Sequence, residues 1–299
     1  MTDPSGADAA ARADGTPSLA MNLRAVMSDL TPAEKKIARA ILASYPFSGL
    51  DSISDLAETA GVSAPSVVRF ARTLGFNGYR EFQDALKHEI REREESNLSQ
   101  AEGRSGGQES LFDAAQAAYH AGIDHTFDSV IGDELDRTVA LLAQPKKSVG
   151  LIGATYSGFI ADIFQAQLAP VRSGVSRLAS NPVVAAGQLL DFRRVDLLIA
   201  FDVRRYEPTI TDVVRVGKEL GLVTIVFTDP WLSPAAALAD HVLTADVRAA
   251  GPSDTLVPTL ALVEAVSELV VAELGDAGLD RLGRLDPLRR RLGGSANHA

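Results

Sequence analysis

The 299-residue sequence contains no cysteine. That excludes disulfides, thiol nucleophiles and cysteine-ligated zinc, so any zinc site would need histidine and carboxylates alone. Histidine is scarce too: five residues, scattered, with no His-x-x-x-His pair. No metal and no cofactor are therefore expected. No apolar run reaches the ~18 residues of a membrane span. The first residues are polar and acidic, unlike a signal peptide. These absences predict a cytoplasmic protein with no membrane partner. An excess of positive charge is also missing. The formal net charge is −10, which argues against a protein that coats nucleic acid generally. A hydrophobic content of 46% is that of a folded chain, and the length accommodates two domains, each with its own core.

The charge is uneven. Residues 19–92 hold nine Lys/Arg against nine Asp/Glu, so this head is neutral and the whole deficit lies elsewhere. A neutral head can bind DNA where its cations are local, and Lys35, Lys36, Arg39, Arg69, Arg72 and Arg80 can form such a face. The acidic remainder repels DNA.

Within the head, residues 52–79 have the pattern of a helix-turn-helix. Ser52 can cap a short helix carrying Ile53, Leu56, Ala57 and Ala60 on one face. Gly61 ends it, because glycine reaches the positive φ of a tight turn. Ser63 is placed to cap a second helix by accepting from the Ser66 amide, and Pro65 falls in its first turn, where a missing N–H costs nothing. Val67, Phe70, Ala71 and Leu74 repeat at helical spacing and face inward. Ser63, Ala64, Pro65, Ser66, Arg69, Arg72 and Thr73 are left as the outer face, with small residues at the tip and arginines behind, suited to a DNA major groove. An ordinary helical hairpin has the same outline. What favours the DNA reading is the supporting helix before it, which opens with Thr31 as cap, Pro32 at the first helical position and Glu34 at the capping-box position.

The stretches "LTPAEKKIARAIL" and "ISDLAETAGVSAPSVVRFARTLGFNGYREFQDAL" resemble the RpiR (MurR/RpiR) family of bacterial transcription regulators, most specifically over Val68 to Phe82. The resemblance covers residues 19 to about 275, tightly in the head and more loosely behind it. It implies a C-terminal sugar isomerase (SIS) domain that senses a small molecule, usually a phosphosugar.

Composition divides the chain further. Residues 1–18 read as a disordered leader, 19–90 as the helix-turn-helix domain and 91–110 as a charged, then Gly/Ser-rich linker. Residues 111–283 read as an SIS-like α/β domain for effector binding and oligomerisation, and 284–299 as a flexible tail. In the α/β part, short uniformly apolar strands are predicted at 147–152, 174–178, 195–201, 223–228 and 241–245. Helices are predicted at 109–129, 132–143, 156–169, 182–189, 208–220, 233–239 and 255–274. That pattern predicts a five-stranded, doubly wound parallel sheet with ligands bound beyond its carboxyl ends.

After the first strand comes Gly153-Ala154-Thr155-Tyr156-Ser157-Gly158, whose helix-start amides and two hydroxyls suit a phosphate or carboxylate. It is not a dinucleotide fingerprint, since Thr stands where a glycine would be needed. Against the Gly-x-Gly-x-Ser-Gly pattern that the resemblance implies, Ser157 and Gly158 match and Thr155 departs. After the third strand the family usually shows Ser-x-Ser-Gly-x-Thr, whose hydroxyls bind a sugar phosphate. This chain has Asp202, Arg204, Arg205 and Glu207 at those serine, serine, glycine and threonine positions. Phosphosugar binding does not transfer to this loop. Two readings of the arginine pair stand: a bidentate clamp for an anion, or pairing with Asp202, Glu207 or a partner subunit. Asn181 lies on the crevice rim after the second strand.

These residues predict a ligand-responsive regulator that binds a double-stranded DNA operator as a homodimer or homotetramer. Its expected effector is a small anion: a phosphosugar, a sugar acid or another carboxylate. The expected effector site is Thr155, Ser157, Gly158, Asn181, Asp202, Arg204, Arg205 and Glu207. The competing reading is a sugar-phosphate isomerase or lyase with an added helical domain. Glu207 or His241 would then do the acid–base work, although neither falls in a family catalytic motif.

Overall fold

Thr31 and Glu34 close a reciprocal capping box at the start of the first long helix. The Thr31 amide donates to Glu34 Oε2 at 3.0 Å and the Glu34 amide to Thr31 Oγ1 at 3.4 Å. The computed structural model describes residues 18–43, 45–94, 110–251 and 253–293. Its head contains α1 (Leu19–Ala25), α2 (Pro32–Ala43), a 3-10 turn (Phe47–Leu50), α3 (Ile53–Ala60), α4 (Ala64–Thr73) and α5 (Tyr79–Glu94). Ser52 caps α3 by accepting from the Asp55 amide at 3.2 Å. Gly61 ends α3 at φ 61°, as the turn requires. Leu56, Val67, Phe70, Phe82 and Leu86 form the buried centre of the head with Ile37 and Ile41. The inward-facing positions of both short helices are those that the periodicity predicts, except that Ile53 and Leu74 are only partly buried.

The second part of the chain runs α6 (Leu111–Ser129), α7 (Gly132–Leu142), β1 (Val149–Gly153), α8 (Ser157–Leu168), β2 (Val175–Arg177), α9 (Pro182–Leu190), β3 (Leu197–Asp202), α10 (Pro208–Glu219), β4 (Val223–Thr228), α11 (Pro234–Leu238), β5 (His241–Thr244), α12 (Val257–Leu274) and α13 (Asp276–Gly293). The five strands are all parallel, in the order β2-β1-β3-β4-β5. The chain leaves β1 toward one edge and returns to build the other half, so the order reverses between β1 and β3. In open α/β sheets the crevice at that reversal receives ligands. The loops after β1 and β3 flank it. Burial explains the strand sequences: β1 and β3 are buried along their whole length. Phe164 of α8 meets Phe201 and Phe227 with ring centroids 6.0 Å from each, and the latter two stack at 4.8 Å.

Three expectations change. The Ser63 side chain makes no capping bond to the backbone; its hydroxyl pairs with that of Ser66 at 2.8 Å. The tail expected to be flexible from 284 is helical as far as Gly293, with Pro287 inside α13. The chain divides into two compact units, and Leu111–His125 groups with the head rather than with the sheet. Residues 1–17, most of the expected linker and 294–299 lie outside the described residues.

Candidate functional site

The outer face of α4 carries the predicted DNA-reading residues. Ser63, Pro65, Arg69, Arg72 and Thr73 are exposed, while Ala64 and Ser66 are partly covered. They are not independent. Arg69 Nη2 donates to Ser66 Oγ at 2.9 Å, and Ser66 Oγ lies 2.8 Å from that of Ser63, forming a hydroxyl–guanidinium chain across the helix tip. Arg72 Nε reaches the Asn77 carbonyl at 3.4 Å. Thr73 donates to Glu34 Oε1 at 2.7 Å, so α2 supports α4 through a polar contact. Hydrogen bonds from Thr31 and then Thr73 hold the Glu34 carboxyl below its ordinary range. The capping-box spacing assigns Glu34 to its own helix alone. Its second bond spans 39 residues and depends on how the helices cross. Lys36 and Arg39 line a groove of about 710 Å³ with Phe47, Asp51 and Thr59.

In the α/β unit, Gly153 brings the turn after β1 close to the start of α8. A Cβ there would lie 2.7 Å from the Gly158 amide and the Ser157 carbonyl oxygen. Ser157, fully enclosed, accepts from the Ala154 amide at 3.0 Å and donates to the Phe201 carbonyl at 2.6 Å, tying this turn to β3. The Gly158 amide is committed to the Ala154 carbonyl at 2.7 Å. Thr155 instead turns toward the loop after β3. Its amide and its hydroxyl donate to the same oxygen, Glu207 Oε1, at 3.0 and 2.9 Å. Asn181 accepts from the Val183 and Val184 amides at 3.0 and 3.3 Å; it caps α9, which employs the acceptor assigned to a ligand.

The loop after β3 is anchored by an aspartate that directly follows β4. Asp229 is fully buried and accepts from the Arg204 amide at 2.8 Å and the Tyr206 hydroxyl at 2.7 Å. Arg204 and Arg205 both adopt the left-handed region, at φ 42° and 51°. Asp202 has no exposed surface, and neither of its carboxylate oxygens has a hydrogen-bond partner. The reading in which the arginines pair with Asp202 is therefore not realised. Burial pushes the Asp202 carboxyl up to about 7; the Ser233 hydroxyl and the Glu207 amide favour its charge without reaching hydrogen-bond geometry, and Asp229 opposes it. His241 sits at the start of β5, away from the carboxyl ends, and its Nδ1 lies 2.8 Å from Glu134 Oε2. That placement removes it from the crevice and from the acid–base role. Among the described residues no group of three His, Asp or Glu fits a metal ion, and no helix is long and apolar enough to cross a membrane.

Comparison with known proteins fits both halves. The model of the rpiR-family helix-turn-helix domain matches residues 18–93, and that of the SIS domain residues 141–269. The head is an rpiR-family helix-turn-helix domain, and an SIS domain follows it. An uncharacterized HTH-type transcriptional regulator of Thermotoga maritima is 29% identical to this chain over 251 residues, covering 82% of it and 85% of the relative. The HTH-type transcriptional regulator RpiR of Escherichia coli K12 is 26% identical over 232 residues, 75% of each. Among solved structures, the Vibrio vulnificus NanR protein complexed with ManNAc-6P matches with a TM-score of 0.54 at 19% identity, covering 92% of this chain and 99% of that one. The sugar isomerase domain of an RpiR transcription factor from Sphaerobacter thermophilus gives 0.54 at 23% identity, covering 60% and 99%. These structures establish the fold. The curated relatives are named as transcriptional regulators, and this chain is a transcriptional regulator by the same two domains, a helix-turn-helix head followed by an SIS domain.

Proposed function

We propose that the chain binds an inverted-repeat DNA operator as a homodimer or homotetramer, with the tip and outer face of α4 in the major groove, under control of a small anionic metabolite held in the crevice between β1 and β3. Ser63, Ala64, Pro65, Ser66, Arg69, Arg72 and Thr73 form the DNA face. The observation that carries the effector reading is the bonding of Thr155: two donors from one residue converge on one carboxylate oxygen. A turn that holds an internal carboxylate has the chemistry to hold a ligand's carboxylate or phosphate. Arg204 and Arg205, on the facing loop, bring guanidinium groups to the same end of the sheet. The Vibrio vulnificus NanR protein forms its complex with a sugar phosphate, ManNAc-6P, which lies within this ligand class. Ser157 and Gly158 shape the turn rather than contact the ligand, because their polar groups are already engaged.

The test is calorimetric titration of the full chain with phosphosugars, sugar acids and neutral polyols. An anionic compound should bind, and Thr155→Val should weaken it. A neutral polyol bound equally by the wild type and by Arg204→Ala/Arg205→Ala would contradict the anionic assignment.

A further inference from the structure

Three carboxylates crowd the β3 side of the crevice, and they differ in how they are satisfied. Asp229 has both oxygens occupied, by the Arg204 amide and the Tyr206 hydroxyl. Glu207 accepts two bonds from Thr155. Asp202, the last residue of the central strand, is fully buried with neither oxygen bonded. A buried carboxyl without partners costs the full desolvation of its polar atoms, and native proteins leave few such groups. Nothing in the packing of β3 demands an acid here. The other residues of the strand are Leu197, Leu198, Ile199, Ala200 and Phe201, and a small apolar or hydroxyl side chain would end it at lower cost.

We propose that Asp202 is the specificity-determining acceptor of this site, receiving a hydroxyl or ammonium hydrogen of the effector while the effector's anionic group lies toward Thr155. The inference rests on the effector reading above. An anion is excluded as the partner of Asp202, since it would meet three carboxylates. A divalent metal is disfavoured, because among the described residues no three side chains are grouped to ligate one. A hydrogen-bond donor is the remaining chemistry, and a donor near Asp202 also relieves the repulsion from Asp229 and Glu207. In this proposal the effector reaches Asp202 by displacing the adjoining segment Val203–Tyr206. Its two consecutive left-handed residues are non-glycine conformations that cost free energy, offset by the two bonds to Asp229. A ligand bond to Asp202 compensates for lifting that segment. The crevice therefore accepts molecules that carry an acid group at one end and hydroxyl or amino groups at the other, and discriminates against a bare anion.

The experiment is calorimetric titration of the full chain with inorganic phosphate, glucose 6-phosphate and glucosamine 6-phosphate. It compares wild type, Asp202→Leu, Asp202→Ala and Thr155→Val. The wild type should prefer at least one sugar phosphate over inorganic phosphate. Both Asp202 variants should lose that preference by roughly tenfold, the scale of one hydrogen bond to a charged group, without weakened binding of inorganic phosphate. The Leu variant removes both acceptor oxygens and keeps a similar shape without leaving a buried polar group unsatisfied, so it decides the matter where the Ala variant is unstable. A preference that survives in Asp202→Leu overturns the inference, as does a wild type without preference. If Thr155→Val then weakens all three ligands, the effector reading still stands. Failure of all three compounds to bind the wild type overturns the inference, and the effector reading falls with it when the sugar acids fail as well.

Discussion

Glu207 Oε1 accepts from both the amide and the hydroxyl of Thr155, at 3.0 and 2.9 Å, across the reversal point of the sheet. An acid group of the chain thus engages the donors proposed for an acid group of the ligand. The two must compete. Glu207→Gln should raise the affinity for an anionic effector several-fold, by removing a charge and weakening the bonds to Thr155. Glu207→Asp separates the two effects, because it keeps the charge and falls one methylene short of Thr155. An increase in both variants, measured by calorimetry, supports competition for Thr155. An increase in Gln alone reduces the effect to repulsion.

On the DNA face, Arg69 is braced by Ser66 and Arg72 by the Asn77 carbonyl. Losing either arginine should cost ~1–3 kcal/mol of specific binding and relax sequence preference at one position. Ser66→Ala should cost less, since it removes a brace for Arg69 and a hydroxyl but leaves the guanidinium in place. Fluorescence anisotropy on DNA selected from a random pool measures all three. Unchanged affinity and preference in both arginine variants would remove α4 from the groove.

Asp202 makes stability depend on pH with a definite sign. Its folded-state carboxyl titrates at about 7, above the ~3.9 of an unfolded aspartate. Below about pH 4 both states hold the proton. As pH rises toward 7 the unfolded state releases it first, so the folded state loses stability through that window and the loss levels off above it. The full difference is on the order of 4 kcal/mol. Asp202→Asn should flatten this part of the profile, and its advantage over wild type should grow from pH 5 to pH 8. Urea denaturation at four pH values checks this; parallel profiles would show that Asp202 is not held neutral.

Much of this architecture was legible in the sequence because it is written in local signals. Uniform apolar runs marked β1, β3 and β4, and the Thr31–Glu34 spacing marked the start of α2. The Ser63 cap failed because a neighbouring hydroxyl, Ser66, competes for its oxygen. The helix α13 was missed because Gly283 and Pro287 interrupt a polar segment that has weak helical signals of its own. At the crevice, the departure from a serine-rich loop was visible, and so were the acids that replaced it. Their division of labour was not. Thr155 and Glu207 are 52 residues apart and Arg204 and Asp229 are 25 apart, so those bonds exist only through strand order. That Asp202 is the acid left without a partner follows from these contacts, and no sequence spacing encodes it.

Assembly is open to direct measurement. Among the described residues of the head, Phe47 is the one large apolar side chain left exposed, whereas the α/β unit exposes Tyr156, Phe159, Val183 and Leu190. Sedimentation of the full chain at tens of micromolar should give a dimer or tetramer, and charged substitutions at Tyr156 and Phe159 should shift it toward monomer. A wild-type monomer at that concentration would exclude symmetric reading of an inverted repeat by a preformed oligomer.

The central claim is that one chain couples the crevice to DNA binding, and anisotropy on the selected operator tests it most directly. The full chain is titrated onto labelled DNA alone and with each compound that calorimetry shows to bind. Operator affinity should shift by at least about fivefold, a coupling of ~1 kcal/mol or more, and Thr155→Val should abolish the shift. Identical operator affinity with and without every bound compound would contradict the coupling.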